Sequence, residues 1–234
     1  MIKVAIFDLD STLIYTQKIK EYIFNFIKQI SGESDRFAIQ VYNDVRNDAG
    51  KITFNLINLK SKLKKSIKNF DENKWKEFED SFNKVDKSLL IAGAEDLLKF
   101  FKGREIPIYI LTLGVEDWQK IKIKFSGLEK ILGVDFKNLK YTNEEDSKKG
   151  KVKEIREILK ELNLENCKDI LFFNDRPDET KKIMEEFPDL QVFIRREKND
   201  KRHGDNDFID LARDKNVIKI SNDLNLIDDI KKIL

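Results

Sequence analysis

The sequence is poor in the residues that usually carry soft metal ligation and nucleophilic catalysis. Among 234 residues there is one cysteine, Cys167, and one histidine, His203. A single cysteine cannot close an intramolecular disulfide, so the fold does not rest on one. Two such residues also fall short of the four ligands of a structural zinc site. A Ser-His-Asp or Cys-His engine would need His203, which lies in the polar run Lys201-Arg202-His203-Gly204-Asp205. Chemistry therefore falls to carboxylates, hydroxyls and lysines. Glycine and proline are scarce too, nine and three, and no repeat or low-complexity linker divides the chain. No apolar run approaches the ~20 residues of a membrane span. The apolar start, Met1 to Phe7, meets Asp8 at once, which is too short for a signal peptide. It reads as a buried first strand of a cytoplasmic protein. An excess of one charge is also missing. With 45 basic and 43 acidic residues, net +2, no global field drives the chain onto nucleic acid or membrane.

Two patterns divide what is there. From about Tyr15 to Asp86 the apolar residues recur only at helical spacing. The stripes are Ile19-Tyr22-Ile23-Phe26-Ile27-Ile30, Phe37-Ala38-Val41-Tyr42-Val45, Leu56-Leu59-Leu63-Ile67 and Trp75-Phe78-Phe82-Val85. Four amphipathic helices in a row predict a small bundle. Trp75, Phe78 and Phe82 then belong to its core, and the basic run Lys60 to Lys65 is its solvated outer face rather than a nucleic-acid surface. After this, strands alternate with helices. Strands are expected at 106–111, 139–142, 170–173, 190–194 and 217–220, and helices at 94–102, 115–125, 150–162, 177–187, 208–215 and 224–234. Such alternation predicts a doubly wound parallel sheet with helices on both faces. The fold class is thus α/β, with a core at 1–14 and 88–234 and an inserted all-α domain at 15–87.

Sheets of this kind bind ligands at the carboxyl ends of their strands. The first strand ends in Asp8-Leu9-Asp10-Ser11-Thr12. Asp8 and Asp10 point to one side of an extended chain, and their repulsion is relieved by a cation or a shared proton. Mg²⁺ suits oxygen ligands and keeps waters for a phosphate. Thr112 ends the next strand, where its hydroxyl either caps the following helix or meets an anion. Lys148, Lys149 and Lys151 surround Gly150 at a helix start, where lysine opposes the helix dipole. A bound anion explains them together, although each alone reads as a solvated charge. Asp175 follows Phe172-Phe173-Asn174 directly, whereas Asp178 and Glu179 suit a helix's first turn. Arg195 and Arg196, at a loop start, either touch a substrate or meet water, and water is the expectation.

In this order, these residues resemble the motifs of the haloacid dehalogenase (HAD) superfamily over nearly the whole chain. The Asp-x-Asp-x-Thr signature is Asp8-Leu9-Asp10-Ser11-Thr12. Thr112 matches the second motif, a lysine near Gly150 the third, and Asp175 with Asp178 or Glu179 the fourth. The resemblance implies a HAD-like Rossmannoid sheet whose insertion is a helical C1 cap. It implies Asp8 as a nucleophile that forms an aspartyl-phosphate and Asp10 as general acid and base. It puts Thr112 and Lys149 on the phosphoryl oxygens, with Lys151 second choice and Lys148 third. It puts Mg²⁺ on the Asp8 carboxylate, the Asp10 backbone carbonyl and Asp175, with Asp178 and Glu179 as outer candidates. Dehalogenases of this superfamily lack an aspartate at the position of Asp10, so the resemblance implies a phosphatase. Asn174 departs from the usual glycine and Leu113 from asparagine. The expected activity is Mg²⁺-dependent hydrolysis of a small phosphorylated metabolite by a monomer or homodimer. The alternatives are a phosphomutase, a non-catalytic phosphate-ligand-binding protein and a receiver-like signalling protein. Receivers, however, carry an acidic pair before their phosphorylated aspartate and lack a four-helix insertion.

Overall fold

The computed structural model describes residues 2–48, 51–134, 136–142, 147–197 and 202–234, with no side-chain description for Asp48 and residues 147–149. Strand β1 (Val4–Phe7) is followed by a two-residue hairpin, β2 (Asn47–Asp48) and β3 (Lys51–Ile52). Then come β4 (Ile108–Leu113), β5 (Leu139–Thr142), β6 (Ile170–Asn174), β7 (Gln191–Arg195) and β8 (Val217–Ser221). Apart from the hairpin these form one six-stranded sheet in the order β5-β4-β1-β6-β7-β8, and every pair in it is parallel. The order steps outward from β1 in both directions, so the chain crosses back over the central strand between β5 and β6. Asp8 thus stands at the switch point, where open parallel sheets form their ligand crevice.

The helices are α1 (Thr16–Ser31), α2 (Asp35–Arg46), α3 (Leu56–Ser66), α4 (Glu72–Ser81), α5 (Ala94–Lys102), α6 (Glu116–Phe125), α7 (Leu128–Leu132), α8 (Ser147–Glu161), α9 (Pro177–Glu186), α10 (Asp205–Leu211) and α11 (Ile227–Lys231). Among the described residues none is long and apolar enough to cross a membrane. The two-residue alternation of a strand sends its side chains to two separate cores. Val4 and Ile6 join Tyr109, Leu111 and Phe172 beneath α8, α9 and α10. Ala5 and Phe7 join Ile110, Phe173 and Phe193 beneath α5, α6 and α7. Both faces are covered, which explains why β1 and β6 read as continuous apolar runs.

The second core holds an aromatic ladder under the site. Phe7 pairs in register with Phe173, and Phe173 with Phe193. Their rings stack at 4.2 and 5.0 Å, and Phe101 meets Phe7 edge-on at 5.9 Å. Phe173 is 1% exposed. Phe173→Ala should therefore lower the unfolding free energy by about 3–5 kcal/mol, read as a drop in the urea midpoint at unchanged m-value.

The four helices α1 to α4 lie between β1 and β4, as the four stripes require. Asp71 caps α4 by accepting from the amides of Asn73 and Lys74. Trp75, Phe78 and Phe82 are buried, with Phe78 stacked on Phe26 at 3.8 Å. On the outer face Lys60 and Lys64 pair with Glu72, and Lys62 pairs with Asp44. The bundle meets the sheet layer through aromatic contacts onto α6: Phe54 and Phe82 on Trp118 at 4.9 and 5.6 Å, and Phe82 on Phe125 at 4.9 Å. Outgoing and returning chain run side by side, with the Tyr15 amide donating to the Leu89 carbonyl and the Ile91 amide to that of Leu13.

Several local expectations shift, and the helix expected at 208–215 instead spans Asp205–Leu211. The strand expected at 106–111 begins at Ile108 and runs to Leu113, because Pro107 has no N–H to donate and the Ile106 amide turns back to the Phe101 carbonyl. The last helix shrinks to Ile227–Lys231, since the Leu224 amide is committed to the Ala92 carbonyl. The short α7 and the β2–β3 hairpin span too few residues to show a period.

Candidate active site

Asp8 continues the line of β1, its amide donating to the Phe173 carbonyl at 2.8 Å. The chain then turns sharply at Ser11, which takes a left-handed φ of 60°. The turn is held from several sides. The Ser11 amide donates to the Ile14 carbonyl and to Thr16 Oγ1, and Thr16 Oγ1 donates to Asp10 Oδ1 at 2.8 Å. The Ser11 carbonyl accepts from Arg195 Nη1 at 2.7 Å. Arg195 also donates to the Asn222 carbonyl, pairs with Glu197 at 2.6 Å and lies 5.3 Å from the Tyr15 ring centre. The expectation that both arginines meet water is thus corrected for Arg195. It is buried because two sequence-distant carbonyls, of Ser11 and Asn222, and the nearby Glu197 carboxylate converge on one guanidinium. Arg196 pairs with Asp205 and lies over Phe208.

Lys151, near the start of α8, reaches the end of β1. Its Nζ donates to Asp8 Oδ1 at 2.6 Å, to Glu179 Oε2 at 2.7 Å and to Asn174 Oδ1 at 3.4 Å. Gly150 permits this approach, since a Cβ there would run into the Thr142 side chain. Burial alone would pull the Lys151 ammonium down, but the charges of Asp8 and Glu179 outweigh it and its pKa goes up. The side chains of Lys148 and Lys149 lie outside the described residues. Asn174 braces Glu179 by donating to its Oε2 at 3.1 Å and to Thr180 Oγ1 at 3.0 Å. Glu179 is 1% exposed, while Asp178 sits on the open side with Arg176 at 3.0 Å and His203 at 3.6 Å.

The other two carboxylates differ in their surroundings. Asp10 is half-buried, and both its oxygens lie 2.6 Å from Lys122 Nζ on α6. Burial pushes its pKa up, but the charge and hydrogen bond of Lys122 and the bond from Thr16 outweigh this and lower it. Asp175 is buried with Arg202 at 3.4 Å. Burial, followed by the charge of Asp8, pushes Asp175 up to about 8, and burial pushes Asp8 up to about 6 despite Lys151. Thr112 is fully buried, and its hydroxyl donates to Gln119 Oε1 at 3.4 Å. Leu113 and Gln119, rather than Thr112, are among the residues lining the cavity.

That cavity measures about 150 Å³. Asp8, Asp10, Lys151 and Asp175 form its floor, and Lys20, Tyr42 and Arg46 reach it from α1 and α2. Drug-sized pockets span roughly 300–1,000 Å³, so the space suits a much smaller molecule. Among the described residues no three His, Cys, Asp or Glu side chains cluster as a ready metal cage. A hard cation does not need one, since Mg²⁺ commonly takes one or two carboxylates and fills its shell with water and phosphate. Asp8 and Asp175 fit that demand: they are buried acids at neighbouring strand ends, and the charge of Asp8 raises Asp175.

The motif order, the sheet and this cluster coincide with one family. A haloacid dehalogenase-like hydrolase profile matches residues 2–185. The chain belongs to the haloacid dehalogenase-like hydrolases. Solved HAD structures have the same fold across the chain. A haloacid dehalogenase-like protein of Burkholderia xenovorans superposes with TM-score 0.67 at 15% identity, covering 99% of this chain and 98% of its own. A magnesium-bound HAD hydrolase of Bacillus subtilis gives TM-score 0.56 at 16% identity, with 98% of each chain covered. A Thermotoga maritima protein described as a beta-phosphoglucomutase gives 0.57 at 14% identity over the full length of both. At these identities the likeness is one of fold. Among curated proteins nothing matches.

Several site residues of this HAD hydrolase have no motif: Lys122, Arg195, Lys20 and Arg46. Lys122 did leave a signal, since it falls in the Trp118-Lys122-Phe125 stripe of α6, where Trp118 and Phe125 are buried. The two residues scarcest in the sequence stay out of the cluster. Cys167 precedes β6, is 6% exposed, and burial pushes its thiol up to about 11. At pH 8 its thiolate fraction is on the order of one in a thousand. Ellman's reagent should therefore label the native protein slowly and the urea-unfolded protein at once. Cys167→Ser should leave kcat within about two-fold of wild type.

Proposed function

We propose that this HAD hydrolase is a Mg²⁺-dependent phosphatase that cleaves a small organic phosphate monoester through a phosphorylated Asp8. The observation that carries the reading is the Asp8–Lys151 pair on the floor of a small cavity, with Asp10 two residues further on. Asp8 supplies the attacking carboxylate oxygen. Lys151 offers a buried, permanently charged donor to the phosphoryl oxygens, where preorganised charge acts most strongly. Thr112 is assigned to those oxygens by its motif position, and its present bond to Gln119 must open first. Asp10 donates a proton to the departing ester oxygen, then accepts one from the water that attacks phosphorus and releases Asp8. Lys122 holds Asp10 ionised, the form needed for the second half-reaction. The first half-reaction requires Lys122 to move off it.

Asp8, Asp175 and the Asp10 backbone carbonyl would hold Mg²⁺, which supplies charge neutralisation for the phosphoryl group. The ion in the Bacillus subtilis neighbour supports this choice. Glu179 orients Lys151, and Asp178 is left to Arg176. Residues 15–87 act as a C1 cap whose helices roof the cavity, and 1–14 with 88–234 act as the core. The expected setting is the cytoplasm, with small phosphorylated metabolites as substrates.

The test is phosphate release from p-nitrophenyl phosphate and a panel of small phosphate esters. With Mg²⁺ the protein should turn over. EDTA should bring the rate to background, and Mg²⁺ but not Na⁺ should restore it. No release from any ester in Mg²⁺ would overturn the reading. Phosphoryl transfer to a second substrate hydroxyl without free phosphate would make the protein a mutase.

A further inference from the structure

The cavity roof carries charge that the phosphatase reaction leaves unused. On the floor every acid has a cation: Asp8 and Glu179 share Lys151, Asp10 has Lys122, and Asp175 has Arg202. On the roof the balance is reversed. Half-buried Lys20 on α1 and solvent-exposed Arg46 on α2 line the same cavity. Neither side chain makes a hydrogen bond or ion pair with any described residue. Tyr42, one helical turn before Arg46 and therefore on the same face, is buried against the cavity. Its hydroxyl likewise has no hydrogen-bond partner among the described residues. Between these groups the roof is apolar, built from Ile19, Ile23 and Phe54.

A half-buried ammonium without a counter-charge is costly, and more so beside other cations. Burial lowers the Lys20 pKa most; the charge of Asp10 opposes it next, and those of Arg46, Arg202 and Lys122 add to the lowering. The scissile phosphate does not resolve this, because its charge would be met on the floor by Lys151 and by Mg²⁺ when bound. A planar guanidinium, an ammonium and a phenol facing one apolar wall form a donor set for a carboxylate or phosphate.

We infer that the substrate is a short dianionic-ended molecule: the scissile phosphate at one end and a second anionic group at the other, held by Lys20, Arg46 and Tyr42. A cavity of about 150 Å³ limits the spacer to roughly two to four atoms. The inference rests on the phosphatase reading for which end lies on Asp8. It concerns binding, so it is tested apart from turnover.

The test is calorimetric titration, with Mg²⁺ present, of three non-hydrolysable probes of equal backbone length: 3-phosphonopropionate, ethane-1,2-diphosphonate and propylphosphonate. Wild type should bind at least one of the first two about 30-fold or more tighter than propylphosphonate. Which one binds tighter identifies the second group as carboxylate or phosphate. In the Lys20→Met/Arg46→Met double variant, checked for an unchanged thermal midpoint, that gap should fall below about three-fold. The single Arg46→Lys variant should retain part of it, because the charge stays while the planar fork is lost. Equal affinity for all three probes in wild type, or a gap that survives the double variant, overturns the inference. Loss of p-nitrophenyl phosphate turnover bears on the catalytic reading alone.

Discussion

Asp8→Asn is expected to lower kcat for p-nitrophenyl phosphate by roughly 10⁴-fold or more, with little change in KM. The amide keeps the size of the carboxylate and an oxygen that Lys151 Nζ can still reach, but it offers no nucleophile. The fold should survive. Lys151 retains Glu179 at 2.7 Å and Asn174 at 3.4 Å, and the exchange removes an acid that burial already pushes up to about 6. A thermal midpoint close to wild type together with lost turnover would place the defect in chemistry. A collapsed midpoint would say that Asp8 is mainly a structural partner of Lys151.

Lys151→Met should damage both stability and activity. The ammonium is the shared counter-charge of two buried acids. Removing one member of a buried ion group commonly costs about 3–5 kcal/mol, because the other is left uncompensated. The expected result is a fall of that size in unfolding free energy and a loss of about 10³-fold in kcat/KM. The two losses can be separated. Adding Glu179→Gln to Lys151→Met removes the more deeply buried of the two acids left behind, which Lys151 meets at 2.7 Å and Arg176 only at 3.9 Å, and it should recover about half of the lost stability. It should recover none of the activity, since the donor to the phosphoryl oxygens is still absent. Recovery of activity with stability would mean that Lys151 serves only the fold.

The contrast between these residues and others shows what local sequence carries. Asp8 and Asp175 were legible because each directly follows an apolar strand, with Asp10 two residues beyond Asp8, and strand ends define the crevice in a parallel sheet. The four helical stripes and the strand-helix alternation were legible because burial imposes a period. Residues that reach the site from a helix were harder to read. Each step along a helix turns by about 100°, so neighbouring lysines that look alike in sequence fall on different helix faces. The useful signal was phase. Lys151 lies four and seven residues before Ile155 and Ile158, both fully buried, so it extends a buried stripe. Lys122 lies in phase with Trp118 and Phe125 in the same way. A lysine in register with a buried stripe must find an acid inside, and here the acids are Asp8 and Asp10. Arg195 left no such trace. Its partners at Ser11 and Asn222 meet it only in three dimensions, and the alternation of β7 gives no hint of them.

The central claim is that Asp8 itself becomes phosphorylated. An acyl phosphate is reduced by borohydride, which would convert a phosphorylated aspartate to homoserine in place. Protein mixed with Mg²⁺ and excess p-nitrophenyl phosphate, quenched within a turnover, reduced and digested should yield homoserine at position 8. Without Mg²⁺ or ester it should yield aspartate. Steady phosphate release with position 8 unmodified, or with homoserine at Asp10 or Asp175 instead, would contradict the account.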